Sequence, residues 1–170
     1  DEDKAKGYIM PTNKVGIIID CGFDNLMTVT ENNSLGQQLL FCYSSNGSNN
    51  EDPIYLSYTG VTGRLKEKLQ SIHGYDQWKV HQSEQPFQDV FVKEKEEGRI
   101  IYLSPDAEEF LPEMQPGNLY VIGGLIDKNR NKNVTINKCK ALSLKSYKLP
   151  VHKYLEMKSC PILTVNQVFD

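Results

Sequence analysis

The sequence predicts one α/β domain in which a parallel sheet is covered by helices on both faces. Two patterns carry that prediction. Short apolar runs rich in β-branched residues recur along the chain, and stretches with helical apolar spacing separate them. The 170 residues, 39% hydrophobic and 24% charged, are also enough for one ordinary core, which excludes a disordered tail or a disulfide mini-protein.

The elements follow in order. Val15 to Asp20 reads as the first buried strand, and Glu31 to Tyr43 as a helix with Leu35, Leu39 and Cys42 on its apolar side. Ile54 to Tyr58 is the second strand, followed by helical stretches at Arg64 to Ile72 and Pro86 to Phe91. After the third strand, Ile100 to Leu103, Ser104 and Pro105 suit the N-cap and first turn of a short helix over Ala107 to Leu111. Leu119 to Ile122 is the fourth strand, Ile136 to Leu142 a last helix, and Ser146 to Leu149 a weaker strand. Segments rich in Gly, Asn and Ser at 44–50, and at 74–77, read as loops within the domain. We find no internal repeat or low-complexity tract.

Several function classes lose support from composition. The start, Asp1 to Lys6, is charged, and no apolar run approaches the roughly 20 residues of a membrane helix, so a soluble intracellular protein is expected. Cys21, Cys42, Cys139 and Cys160 lie far apart with no CxxC pair, which points to buried thiols and not to a zinc knuckle or redox dithiol. The formal net charge of −3 argues against a generally basic nucleic-acid binder. That charge is uneven, however. Residues 121–170 hold nine Lys or Arg against three acids, whereas residues 1–120 hold ten against nineteen. A positive C-terminal part suits phosphate contacts if its lysines share a face, and a solvated helix surface if they do not.

In a parallel α/β sheet, ligands bind outside the carboxyl ends of the strands. The corners after the strands are therefore the places to look for chemistry. Asp20 and Asp24 could hold a hard cation, but the partner motifs are missing, and an aspartate ending a strand more often caps the next turn. Thr59-Gly60-Val61-Thr62-Gly63 offers backbone N–H groups to an anion or cofactor, without a GxxxxGK[ST] or GxGxxG motif. A plain strand-to-helix turn fits it equally well. In Gly123-Gly124-Leu125-Ile126-Asp127, two glycines allow close backbone approach, and a carboxylate follows among Lys128, Arg130 and Lys132.

The stretch YVIGGLIDKNRNKN, followed by YKLPVHKYLEMKSCPILTVNQVF, resembles the C-terminal half of the tRNA purine-N1 methyltransferases that modify the ninth nucleotide, a branch of the SPOUT superfamily. The likeness continues upstream through IIIDCGFDNLM, SLGQQLLFCYSSN, the Thr-Gly after the second strand, GRLKEKL and IIYLSPDAEE, and so covers nearly the whole chain. An ordered series of this kind is more specific than any single motif.

The resemblance implies a SPOUT-type catalytic domain over residues 1–170, with a C-terminal trefoil knot and S-adenosylmethionine bound in it. It assigns Thr59, Gly60, Gly123, Gly124, Asp127, Lys148, Leu149, Pro150, His152, Leu163, Thr164, Val165 and Asn166 to the cofactor pocket. Asp127 matches the family's proposed general base, which would take the N1 proton of guanine before attack on the methyl group. Arg64, Lys66, Lys68, Lys128, Arg130 and Lys132 are expected to contact tRNA phosphates, and no metal is expected. The family's basic N-terminal extension and the tail after LTVNQVF are absent from these 170 residues, so a trimmed or incompletely ordered chain is expected. A monomer in the nucleus or cytoplasm is expected too. The competing readings are an inactive RNA-binding scaffold of the same fold, methylation of adenine N1, and a metal-dependent hydrolase built on Asp20 and Asp24.

Overall fold

Apolar residues in consecutive positions demand burial on two sides, and the centre of the sheet supplies it. The computed structural model describes residues 12–48, 54–125 and 131–150. Six strands form one sheet: β1 (Gly16–Asp20), β2 (Tyr55–Thr59), β3 (His81–Gln82), β4 (Ile100–Leu103), β5 (Leu119–Gly123) and β6 (Lys145–Tyr147). Their order is β3-β2-β1-β5-β4-β6, and every ladder is parallel.

Alternate residues of each strand face opposite sides. Ile17, Ile19, Tyr120 and Ile122 pack with Leu35 and Leu39 of α1 (Val29–Ser48) and with Leu65 and Leu69 of α2 (Gly63–Gln70). On the other face, Ile18, Tyr102, Leu119 and Val121 pack with Phe87 of α3 (Phe87–Val90) and with Phe91, which leads into α4 (Val92–Glu96). Cys139 of α5 (Val134–Ala141) completes that face. Each fully buried isoleucine of β1 contributes roughly 1.5–3 kcal/mol by leaving water. The predicted α/β class and its two covered faces are present. The sheet grows from β1 through β2 to β3 on one side and through β5 and β4 to β6 on the other, so the topological switch point lies between β1 and β5.

Several boundaries differ from expectation for identifiable reasons. Helix α1 starts before Glu31 because Thr28 and Glu31 form a capping box: the Glu31 N–H donates to Thr28 Oγ1 at 3.1 Å, and the Thr28 N–H to Glu31 Oε1 at 2.9 Å. It also continues to Ser48, through part of the segment expected as a loop. Asn46 then orders the start of β2, accepting from the Ile54 N–H at 3.0 Å and donating to the Ile54 carbonyl at 2.9 Å.

No helix forms over Ala107 to Leu111. Leu111 precedes Pro112, which disfavours helical backbone, and its N–H donates to the Lys148 carbonyl at 2.7 Å. The Lys148 N–H in turn donates to the Glu109 carbonyl at 2.7 Å, so the segment runs beside the end of β6. Ser104 accordingly caps no helix; its hydroxyl pairs with that of Thr135 at 2.8 Å.

Strand β3 was not expected, since His81 and Gln82 carry no apolar signal, yet His81 is buried with Nδ1 2.6 Å from the Ser57 hydroxyl. Tyr75–Gln77, expected within a loop, forms a single 3₁₀ turn entered through Gly74 at φ 80°. Cys21, Cys42 and Cys139 are buried, as anticipated, and Cys160 lies outside the described residues. Among the described residues no helix is long and apolar enough to cross a membrane.

Candidate functional site

Parallel pairing sets Asp20 beside Thr59 on one side and Gly123 on the other, at the carboxyl edge of β2, β1 and β5. The three stand in one row, and α5 reaches Asp20 through Lys138 and Gly123 through Thr135. Backbone hydrogen bonds join the corners: the Cys21 N–H donates to the Thr59 carbonyl and the Gly124 N–H to the Asp20 carbonyl, both at 2.8 Å. Gly60 sits in the left-handed region at φ 69°, and a Cβ there would come within 3.0 Å of the Gly22 nitrogen. Only glycine lets these two corners touch.

Asp20 lies at the centre of this edge. Its Oδ2 accepts from Lys138 Nζ at 2.6 Å and from the Tyr102 hydroxyl at 2.9 Å, while Oδ1 takes the Gly22 N–H at 3.3 Å. The Asp20 side chain is 1% accessible and that of Lys138 is 22% accessible. Nζ also stands 5.0 Å from the Phe23 ring centroid and 5.2 Å from that of Phe87, within reach of cation–π attraction. Burial pushes Tyr102 and Cys21 well above their ordinary pKa values, with the Asp20 carboxylate adding to both. Cys139 is pushed up to about 12, again first by burial. These groups keep their protons, so Tyr102 is held as a donor to Asp20.

Two features mark the edge as fit for a ligand with polar groups. Thr59 is fully buried, yet its hydroxyl has no hydrogen-bond partner among the described residues. Such a group is costly to leave unmatched. The contact of Gly22 with Gly60 also brings two backbone corners together with no side chain between them. Gly123 and Gly124 have a packing reason as well. A Cβ on Gly123 would lie 2.7 Å from Thr135 Cγ2, and one on Gly124 would lie 3.1 Å from the Asp20 carbonyl oxygen. Any ligand contact they make must therefore use their backbone.

The other expected site residues are more scattered. Lys148, Leu149 and Pro150 follow β6, separated from β5 by β4; Leu149 is buried, and Lys148 Nζ lies 4.7 Å over the Phe110 ring. Arg64 is exposed on the first turn of α2, whereas Lys66 pairs with Glu84 and the Lys68 stem packs over Gly36 of α1. Lys132 is exposed just before α5. Asp127, Lys128, Arg130, His152, Leu163, Thr164, Val165 and Asn166 lie outside the described residues.

The Asp20–Asp24 metal reading gains no support. Asp24 Oδ1 accepts from the Leu65 N–H at 3.1 Å and caps α2, so the two carboxylates serve different partners. Among the described residues no group of three or more His, Cys, Asp or Glu is arranged to hold a metal. The sequence reading missed Lys138, which it placed among the surface cations. One signal was available: Thr135, Lys138 and Cys139 fall at i, i+3 and i+4, and so share the buried side of α5.

Comparison with known proteins gives a consistent picture. A sequence model described as tRNA (guanine(9)-N(1))-methyltransferase TRM10/TRM10A matches residues 2–170. The tRNA (guanine(9)-N1)-methyltransferase of Schizosaccharomyces pombe is 36% identical over 167 residues, covering 96% of this chain and 54% of that protein. The tRNA methyltransferase 10 homolog A of Rattus norvegicus is 30% identical over 172 residues, covering 100% of this chain and 50% of that protein. The chain thus spans about half the length of the curated relatives it matches. Among solved structures, full-length spTrm10 in complex with SAH superposes with a TM-score of 0.77 at 36% identity, over 96% of this chain and 85% of that one.

Proposed function

This chain belongs to the tRNA (guanine(9)-N(1))-methyltransferase TRM10/TRM10A family, and on that premise we propose that it is a catalytic domain that transfers a methyl group from S-adenosylmethionine to N1 of guanine at the ninth position of tRNA. The observation that carries this reading is the family match across residues 2–170. The SAH bound to the spTrm10 relative supports the choice of cofactor. So does the edge formed by β2, β1 and β5, where the buried Thr59 hydroxyl and the backbone at Gly60, Gly123 and Gly124 suit a ligand with polar groups.

In this proposal Thr59, Gly60, Gly123, Gly124, Lys148, Leu149 and Pro150 hold the cofactor together with His152 and residues 163–166, and the C-terminal part is threaded as a trefoil knot. When bound, the cofactor supplies an electrophilic methyl group on a sulfonium. The chain's own task is to prepare the nucleophile. Guanine N1 carries a proton at neutral pH, so its lone pair is not available for attack until Asp127 accepts that proton. With a reference pKa of about 3.9, a solvated aspartate is a weak base for this step; partial desolvation strengthens it. Arg64, Lys66, Lys68, Lys128, Arg130 and Lys132 contact phosphates, with Lys66 exchanging Glu84 for tRNA. The protein acts as a monomer in the nucleus or cytoplasm.

The test uses the full-length protein, unmodified tRNA with guanine at position nine and methyl-labelled S-adenosylmethionine. Methylation at N1 of that guanine is expected, mapped by a primer-extension stop. Asp127→Asn should lower turnover at saturating tRNA by about a hundredfold or more, with SAH affinity nearly unchanged. Wild-type turnover by that variant would remove the base role. SAH binding without tRNA methylation would instead leave an RNA-binding scaffold.

A further inference from the structure

Lys138 lies on α5, 118 residues from Asp20 in sequence, yet its ammonium reaches the carboxylate at the switch point of the sheet. The pair does more than join α5 to β1. Asp20 bonds to the β5 corner and to its own: its carbonyl takes the Gly124 N–H and its Oδ1 the Gly22 N–H, while the Cys21 N–H that follows holds the Thr59 carbonyl of the β2 corner. Gly22 is the residue against which Gly60 packs. The orientation of the carboxylate therefore bears on Gly22 and, through the Gly22–Gly60 contact, on the β2 corner that carries Thr59.

Lys138 is held from several directions. Oδ2 stands 2.6 Å away, and the Phe23 and Phe87 rings lie at 5.0 and 5.2 Å. An ammonium so placed is a fixed point charge, and its removal would leave Oδ2 with the Tyr102 hydroxyl as its donor. Salt bridges of surface lysines are worth little, but a carboxylate that is 1% accessible depends on its partner.

We propose that Lys138 is a positioning residue for the cofactor: by fixing the Asp20 carboxylate beneath the β1–β2–β5 edge, it sets the Gly22–Gly60 contact and the presentation of the Thr59 hydroxyl. The inference rests on the proposed cofactor site. Lys138 touches neither methyl donor nor tRNA in it; Lys138 acts through Asp20. Of the C-terminal lysines, it is thus set apart from those assigned to phosphate.

Calorimetric titration of the full-length protein with SAH, beside thermal unfolding, tests this. Lys138→Met strands a buried carboxylate, so both stability and affinity should fall. Asp20→Asn/Lys138→Met removes both charges with shapes nearly kept, and its melting temperature should return toward wild type. Affinity for SAH should nevertheless remain at least tenfold weakened. Lys138→Arg, which keeps the charge but replaces the compact ammonium with a planar guanidinium, should weaken SAH about threefold with little change in melting. KM for S-adenosylmethionine should rise across the series, with KM for tRNA within twofold of wild type.

Affinity that recovers with stability in the double variant, or an unchanged Kd in Lys138→Arg, would overturn the proposal and leave the pair as a fold contact. Wild-type protein that binds no SAH would overturn the cofactor assignment itself and this proposal with it. The wild-type titration separates the two failures.

Discussion

Gly123 offers the sharpest test of what the edge glycines do. Its backbone lies in β5 outside the left-handed region, so alanine is allowed conformationally and the outcome depends on space. The added Cβ would meet Thr135 Cγ2 at 2.7 Å, the Tyr102 hydroxyl at 3.3 Å and Phe23 Cε2 at 3.5 Å. A β-branched neighbour on a packed helix cannot rotate the offending methyl away without moving the hydroxyl bonded to Ser104. Overpacking of this kind costs about 1–3 kcal/mol, and loss of glycine's unfolded-state freedom returns about 0.4–1 kcal/mol. A net loss of about 1–2 kcal/mol follows, or about 2–8 °C in melting temperature for a domain of this size.

Thr135→Ser removes Cγ2 while keeping the hydroxyl, and should alone cost about 1 kcal/mol for the lost methyl. Because the clash is then gone, Gly123→Ala/Thr135→Ser should be close to Thr135→Ser, with a coupling of about 1 kcal/mol or more in a double-mutant cycle. Urea unfolding followed by circular dichroism measures all four proteins. Strict additivity would refute the packing argument. So would a Gly123→Ala protein of unchanged stability that binds SAH poorly, because the space at Gly123 would then belong to the ligand.

Two further predictions follow from local contacts. Asp24→Ala removes the side-chain acceptor of the Leu65 N–H at the start of α2, and should cost about 0.5–2 kcal/mol in urea unfolding; an unchanged midpoint would mean that the cap is not used in solution. Burial lowers the His81 pKa, so the folded protein holds this imidazole neutral. The unfolded chain then binds more protons below the ordinary value of 6.5, and stability, complete above that pH, falls as pH drops through it and levels off below the folded pKa. His81→Gln should flatten that part of the stability profile between pH 7.5 and 5, and an identical slope in both proteins would remove His81 from the account.

Local sequence codes explain where the prediction of elements succeeded. Ile17 to Ile19 and Tyr120 to Ile122 are apolar at successive positions because both faces of the sheet are covered, and that pattern is visible without any tertiary information. The helix expected at Ala107 failed because Leu111 and Glu109 take their backbone partners from Lys148, far along the chain. Strand β3 escaped notice because two residues without an apolar run join the sheet through pairing with Ser57 and Tyr58. Neither outcome has a local signature.

For the site, the corners were legible for a simple reason: turns between strands and helices need glycine and hydroxyl residues, and a parallel sheet gathers its strand ends along one edge. Thr59, Gly60, Gly123 and Gly124 could therefore be singled out from sequence, and an ordered set of motifs could suggest the family. Charge alone could not sort the lysines. Lys138 and Lys132 look alike in the sequence, but the turn of α5 puts Lys138 against a buried carboxylate, while Lys132, just before the helix, is exposed. Sequence by itself determined the α/β class, the corners and the family resemblance, because these depend on periodicity and on motifs short enough to read locally. Only the tertiary structure decided that Asp20, Tyr102 and Lys138 meet, since contacts across 82 and 118 residues depend on strand order and helix placement.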